Sequence, residues 1–529
     1  MDDIYNLPSE VEEGNIEYKR NILNLTPEKI TKYGTQMLWR INEGRDMTGF
    51  NEAYYYIGIE DNGKISRMNN AQIKKSLENF KIITDQHDID IVSTQTVMTK
   101  RGVVAIVKVV KLSDKIIQND IRIALLGGSN NGKTTFLSVI TRDILDNGDG
   151  SGRKSVLRYD HEKEHGETSS IKYELIGFRD DNIKNYESGF LSSWENIVED
   201  SDTLINMIDF PGNTKYIRTT LFALLSHKIN LLFIFISLPN IYDKETGKFN
   251  IDQETLFYMK LCKMLNLHYY LIFTKSDVVY PDEEELIYFF QNTMGYTLNI
   301  MNTSKKLSFF EKNAIIISNK TGYGFDSLKK LLSAFSLQEK IRPENCSDQV
   351  HFMINDVIFV PDIGTIVSGT LLSGKVTIGD KLLIGPINKT FREVTIKSIH
   401  KKQIPNKNIY AGEIASIMIN IDGKINITKH LTIFSDKLLE KFINKFQILI
   451  RETEIELKVG MKVMIFVDNI IDQVEIDYIG FVQFKSSKGE RLIDVHFLND
   501  NEQFLINDRE TVLKYNKKIA TGYIQLNLE

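Results

Sequence analysis

The chain has 529 residues, 42% hydrophobic, 10% aromatic and 26% charged, which excludes bulk disorder, collagen-like repeats and a coiled-coil rod. At roughly 150 residues per domain, three or four domains are expected. Lys plus Arg at 65 against Asp plus Glu at 70 give a formal charge of -5, so a non-specific nucleic-acid coat is excluded and any RNA must be met by a local patch. Cys262 and Cys346 lie far apart, which excludes a disulfide framework or a Cys-rich zinc site and fits a reducing compartment. The start, Met1-Asp2-Asp3-Ile4, is acidic where a secretory signal is basic. The longest apolar run, Leu231 to Ile236, falls far short of the ~20 residues of a membrane helix. A soluble, cytoplasmic chain without a membrane partner is expected.

In chain order, residues 1–118 read as a small α+β domain. Gly14 to Asn24 has strand character, and Thr26-Pro27-Glu28 opens a helix that Gly44 is expected to stop. Ala53 to Glu60 is rich in β-formers and runs into the turn Asp61-Asn62-Gly63. A helix from Ala71 to Gln86 and strands from Ile89 to Ser93 and Val103 to Val110 complete a unit in which nothing looks catalytic. Over residues 119–340, short apolar strands alternate with helices: Ile121 to Leu126, Leu204 to Ile208, Leu231 to Ile236, Tyr270 to Phe273 and Ile315 to Ile317. This alternation predicts an α/β domain on a mostly parallel sheet with helices on both faces, closed by a helix from Ser327 to Phe335. Arg342-Pro343-Glu344-Asn345 reads as a linker. Beyond it, strand-like runs with Gly, Asp and Asn turns predict a β-barrel over 341–436 and another over 437–529.

Gly127-Gly128-Ser129-Asn130-Asn131-Gly132-Lys133-Thr134 matches G-x-x-x-x-G-K-S/T, between an apolar strand and a periodic stretch from Phe136. A strand delivering such a loop to a helix start converges backbone N–H groups on one phosphate. Lys133 neutralises β- and γ-phosphate charge, the Thr134 hydroxyl suits Mg²⁺, and Asn130, Asn131, Gly132 and Thr135 complete the cradle. Asp209-Phe210-Pro211-Gly212 follows the strand ending at Ile208. Its carboxylate suits Mg²⁺ through water, and the Gly212 N–H can sense a γ-phosphate; in isolation, D-x-x-G is a common turn. In Thr274-Lys275-Ser276-Asp277, the Asp277 carboxylate can accept hydrogen bonds from guanine N1 and N2, which adenine cannot supply, and the Lys275 stem can cover the base. Ser318-Asn319-Lys320 offers backbone N–H groups to guanine O6. All four loops lie at strand C-termini, the ligand edge of an open α/β sheet. The expected ligands are GTP or GDP with Mg²⁺.

Gly166-Glu167-Thr168-Ser169-Ser170 with His161-Glu162 before it, and Gly212-Asn213-Thr214-Lys215-Tyr216, resemble the GTP-binding protein 1 and 2 branch of the elongation factor Tu-like translational GTPases. So do Leu145-Asp146-Asn147-Gly148, Gly58-Ile59-Glu60-Asp61-Asn62-Gly63 and, in the barrel region, Gly364-Thr365-Ile366-Val367-Ser368-Gly369-Thr370. The resemblance runs along nearly the whole chain and is thinnest toward its C-terminal end. It implies a P-loop GTPase domain and two β-barrels, with GTP, tRNA, the ribosome and the mRNA-decay machinery as partners in translation or RNA quality control. It also implies that Thr168 joins Thr134 and Asp209 on Mg²⁺ and that loss of the γ-phosphate releases both switch segments.

Three departures bear on turnover. Asn213 stands where the family has histidine, and an amide bonds water but carries no proton charge near neutral pH. Asn130 replaces the usual Asp with Ser129 beside it, and Glu167 replaces Ile. The catalytic set implied is Asn213, Thr168, Lys133 and Asn130, with slow unaided hydrolysis and Asn130 as a ligand for a monovalent cation. A rival reading is a GTP-binding interaction switch with little or no hydrolysis; an ATP-driven enzyme is disfavoured by Asp277. His161 and His165 beside Glu162 and Glu164 have metal-ligand spacing, but a mobile polar switch loop explains them better. The basic run from Lys397 to Lys402 suits either tRNA phosphate or a solvated barrel edge.

Overall fold

The computed structural model describes the chain except residues 1–6, 49–50, 113–118, 155, 158–161, 163–167, 181, 186–193, 304–311, 337–348, 361–363, 423–426, 483–489, 500–503, 506–508, 517 and 526–529. The linker Arg342-Pro343-Glu344-Asn345 and Cys346 lie outside the described residues.

In the first unit β1 (Ile16–Lys19), α1 (Pro27–Thr48), β2 (Glu52–Ile57), α2 (Asn70–Gln86), β3 (Ile89–Met98) and β4 (Val103–Lys111) build a sheet of order β1-β2-β4-β3. Met37 and Ile41 of α1 and Phe80 and Ile83 of α2 pack on Tyr55, Ile57 and Val107 of the sheet. Helix α2 starts at a reciprocal cap: the Gln72 N–H donates to Asn69 Oδ1 at 2.9 Å and the Asn69 N–H to Gln72 Oε1 at 3.1 Å. Gly44 does not stop α1, which continues to Thr48. A Cβ there would lie 2.0 Å from the Glu52 carbonyl oxygen, so this glycine serves close approach to β2.

The second unit holds β5 (Asn119–Leu126), α3 (Lys133–Arg142), β6 (Lys172–Arg179), β7 (Asn182–Ile183), β8 (Thr203–Asp209) and β9 (Leu231–Ser237). A small hairpin, β10 (Tyr242–Asp243) with β11 (Lys248–Phe249), precedes β12 (Tyr269–Thr274), β13 (Leu298–Ile300) and β14 (Lys312–Ile316). The sheet order is β13-β14-β12-β9-β5-β8-β6-β7. Pairing is parallel except at one edge, where β6 runs antiparallel to β8 and β7 to β6. Strands β8 and β9 are buried along their whole length. Phe233 and Phe235 of β9 pack on the face covered by α3, while Ile234 and Ile236 join the opposite core. Continuous apolar runs follow from burial on both faces.

In the third unit are β15 (His351–Val360), β16 (Gly364–Ser373), β17 (Lys375–Thr377), β18 (Lys381–Ile387), β19 (Thr390–Lys401), β20 (Ile404–Asn406), β21 (Asn408–Tyr410), β22 (Ile414–Ile421) and β23 (Thr432–Phe434). Because β18 pairs with both β23 and β19, this sheet closes on itself. In the fourth unit β24 (Phe442–Ile443) pairs with β29 (Phe504–Leu505). Strands β25 (Lys445–Thr453), β26 (Lys462–Val467), β27 (Ile470–Val482), β28 (Glu490–Phe497), β30 (Arg509–Tyr515) and β31 (Lys518–Gln525) form a closed barrel of order β25-β28-β27-β26-β30-β31.

Both barrels dock on the α/β unit. Lys402 turns into the interface with the first barrel, its Nζ 3.3 Å from Asp120 Oδ1 and 2.5 Å from Asn206 Oδ1, while Lys401 pairs with Glu413 at 3.2 Å. Lys402 is thereby drawn into an interface, while Lys397 of the same run stays exposed. Buried Arg122 bonds the carbonyls of Gly412 and His227. On the second barrel, Phe466, Val512 and Ile519 share one core with Leu221 and Leu224 of the helix Ile217–Ser226.

Candidate nucleotide site

The loop after β5 has a backbone that few sequences tolerate. Gly127 and Gly132 have φ of 136° and 83°, and Asn130 takes φ 63°. A Cβ on Gly127 would lie 2.4 Å from the Phe235 carbonyl oxygen. Helix α3 begins at Lys133, so its first N–H groups face the loop's concavity. The hollow is lined by Asn130, Gly132, Lys133, Thr134 and Thr135, and by Ser129, Thr168, Gly212 and Arg153. Buried Lys133 donates to the Gly127 and Gly128 carbonyls at 2.8 and 2.9 Å.

Three residues expected around a metal converge. Thr134 Oγ1 lies 2.6 Å from Asp209 Oδ2 and 2.8 Å from Thr168 Oγ1. Asp209 is fully buried, and its Oδ1 has no hydrogen-bond partner among the described residues. Burial pushes its carboxyl up, against the pull of the Lys133 ammonium and the Thr134 hydroxyl. Burial also pushes Lys133 down, with Asp209 and Glu254 opposing. An orphaned carboxylate oxygen beside two hydroxyls suits a hard cation, and the buried ammonium suits an anion next to it.

Gly212 lies tight on the phosphate loop: a Cβ there would be 2.6 Å from Lys133 Nζ and 2.9 Å from the Gly128 carbonyl. Asn213 is not among the residues lining the hollow, and its Oδ1 accepts from the Lys215 N–H at 3.1 Å. The base-side loops are tied to the phosphate side. Thr274 Oγ1 donates to the Asn131 carbonyl at 2.9 Å, Asn319 Nδ2 to the Gly132 carbonyl at 3.2 Å, and Asn131 Nδ2 to the Phe235 carbonyl at 2.9 Å. Ser318 Oγ donates to Asp277 Oδ1 at 2.6 Å, fixing that carboxylate. Lys275 has φ 60°, and burial pushes its ammonium down, with Asp277 opposing and Arg153 adding to the shift.

Sequence reasoning missed three contributors. Glu162, read as part of a mobile loop, is fully buried and accepts from Lys172 Nζ at 2.5 Å and from the Ser169 N–H and hydroxyl at 2.8 and 2.9 Å. Lys172 stands directly across from Asp209 in the β6–β8 register, a pairing invisible until that antiparallel edge is known. Arg153, in a Gly-rich stretch without a motif, also reaches the hollow. His161, Glu164, His165, Gly166 and Glu167 lie outside the described residues. Among the described residues no three His, Cys, Asp or Glu side chains cluster as metal ligands.

Residues 118–343 match the elongation factor Tu GTP binding domain family, and residues 364–429 match elongation factor Tu domain 2. GTP-binding protein 2 of Homo sapiens is 28% identical over 469 residues, 83% of this chain and 75% of that protein. GTP-binding protein 1 of Xenopus laevis is 28% identical over 76% of this chain and 62% of its own length. In fold, the chain is similar to the translation elongation factor SelB from Methanococcus maripaludis in complex with the GTP analogue GppNHp, with TM-score 0.55, 18% identity, and 78% and 80% of the two chains covered. It is also similar to the S. cerevisiae Ski7 GTPase-like domain bound to GTP, with TM-score 0.57, 14% identity, and 78% and 98% covered. With a strand-delivered phosphate loop, a D-x-x-G strand end and two barrels in the matching order, the chain belongs to the elongation factor Tu-like translational GTPases, and over most of its length it is similar to GTP-binding proteins 1 and 2.

Proposed function

We propose that this chain holds GTP with Mg²⁺ in the hollow in front of α3 and hydrolyses it slowly unaided, using the terminal phosphate to set the posture of its switch segments. The observation that carries this is the meeting of Thr168, Thr134 and Asp209 Oδ2, with the other, fully buried oxygen of Asp209 unpartnered among the described residues. Those three residues would hold the ion, which neutralises phosphate charge when bound. Lys133 would leave its two carbonyl partners for phosphate oxygens, and Asn130, Asn131, Gly132 and Thr135 would wrap them with backbone N–H groups. Thr274, Lys275, Asp277, Ser318 and Asn319 would take the guanine. The working domain limits are 1–118, 119–340, 341–436 and 437–529.

Slow turnover is supported by Asn213, whose side chain is engaged in a local turn and lacks an ionisable group. The same observation favours a second reading, a switch that recruits a partner with little hydrolysis. Single-turnover hydrolysis of γ-labelled GTP, with and without ribosomes, decides between them. Slow release that rises with ribosomes supports the first reading, and fast unaided release contradicts both. Asn213→His should raise the unaided rate at least ~10-fold if the missing imidazole limits turnover. The likeness to elongation factors supports a cytoplasmic role in translation or RNA quality control with tRNA, the ribosome or the mRNA-decay machinery. Filter binding of charged and uncharged tRNA, with a GTP analogue and with GDP, tests that part.

A further inference from the structure

The stretch between α3 and the first switch is more tightly built than its glycines suggest. The Asp146 carboxylate accepts the N–H groups of Gly148, Gly150 and Gly152 at 2.9, 3.3 and 3.0 Å. Ser138 on α3 donates to the Gly152 carbonyl at 2.7 Å, and the Asp146 N–H donates to the Asn319 carbonyl at 2.9 Å. One buried carboxylate therefore folds this segment and fastens it to both α3 and the base-side loop. The short helix Ser151–Lys154 that follows brings Arg153 to the wall of the phosphate hollow. Its guanidinium has no ion pair or hydrogen bond among the described residues.

Setting a guanidinium near Lys133 and Lys275 carries an electrostatic cost that Asp209 and Asp277 only partly offset, and Arg153 does press on the Lys275 ammonium. The cost is recovered when a polyanion enters. The Asp146 tie to Asn319 and the repulsion between Arg153 and Lys275 set this residue on the side of the base loops. We infer that Arg153 is a nucleotide-binding residue that grips the α- and β-phosphates, holding GDP and GTP alike. The inference rests on the reading of the hollow as a guanine-nucleotide site. A planar fork suits two phosphate oxygens at once, and an ammonium does not reproduce it.

The test is a titration of the full chain with fluorescent GDP and a fluorescent non-hydrolysable GTP analogue. It compares wild type, Arg153→Ala, Arg153→Lys and, as a control for the site, Lys133→Ala. Arg153→Ala is expected to weaken both nucleotides by a similar factor, roughly 10- to 100-fold, with Arg153→Lys in between. Equal affinity of wild type and Arg153→Ala, while Lys133→Ala binds poorly, overturns the role of Arg153 and leaves the site reading standing. Loss confined to the triphosphate, or to turnover alone, also overturns it, because the arginine would then serve the γ-phosphate. Failure of wild type itself to bind either nucleotide sinks the site reading and this inference together. If Arg153→Ala does not fold, as judged by its melting transition, Arg153→Lys with an equal loss for both nucleotides still supports the inference, and undiminished binding removes it.

Discussion

His227 ends the helix Ile217–Ser226 and is only 3% exposed. Its Nδ1 lies 3.1 Å from the Ala223 carbonyl oxygen and its Nε2 2.6 Å from the Tyr173 hydroxyl. A neutral ring that donates from Nδ1 and accepts at Nε2 satisfies both contacts. Burial pushes its pKa from 6.5 down to about 4. Between those values the unfolded chain binds a proton that the folded chain refuses. This contribution is therefore whole above about pH 6.5 and lost as pH falls toward 4, about 3 kcal/mol in all. Urea midpoints from pH 7.5 to 4 should fall more steeply for wild type than for His227→Gln, and parallel slopes would remove the assignment. Asp277 makes a different kind of claim. With Ser318 holding one oxygen, Asp277→Ala should cost guanine nucleotides roughly 100-fold or more in affinity and end the preference for GDP over ADP in competition binding. Such residues were legible because each motif fixes both a residue type and a strand end. Arg153 was not, since a lone arginine among glycines carries no pattern.

The edge strand β6 shows where element-level reading stopped. Its sequence, from Lys172 to Arg179, mixes charged and apolar residues and was not picked out among the apolar runs, and nothing local tells that it runs antiparallel to β8. That reversal places Lys172 beside Asp209 and lets Glu162 tie the segment from Thr168 to Ser170 to the sheet. Burial pushes the Glu162 carboxyl up, but the Lys172 ammonium and the Ser169 N–H and hydroxyl outweigh it and hold it at about 2. Removing one partner leaves a buried charge alone. Glu162→Gln is thus expected to cost about 3–5 kcal/mol, while Glu162→Leu with Lys172→Leu should cost much less. Hydrogen exchange at Ser169 and Ser170 should quicken in the single variant; unchanged protection there would show that Glu162 does not hold the segment. By contrast, β5, β8, β9 and β12 were found from their apolar runs alone, because strands covered on both faces exclude polar residues.

Across the whole molecule, the order of an α+β unit, a mostly parallel sheet and two closed barrels follows the composition shifts of the sequence. The contacts between units do not, since Lys402 looks like any surface lysine until Asp120 and Asn206 are brought to it. Phe466 is fully buried where the last barrel meets the helix Ile217–Ser226. Phe466→Ala should destabilise the chain by about 3–5 kcal/mol and expose that helix to limited proteolysis. Equal cleavage of variant and wild type within it would mean that the barrel does not support it. The shared core has a mechanical corollary. A close-packed apolar seam has no graded intermediate positions, because every small slip opens voids that neither water nor side chains fill. The last barrel and the segment downstream of Gly212 must therefore move as one piece or part company completely, so that whatever is transmitted along this path arrives as a step and never as a slope.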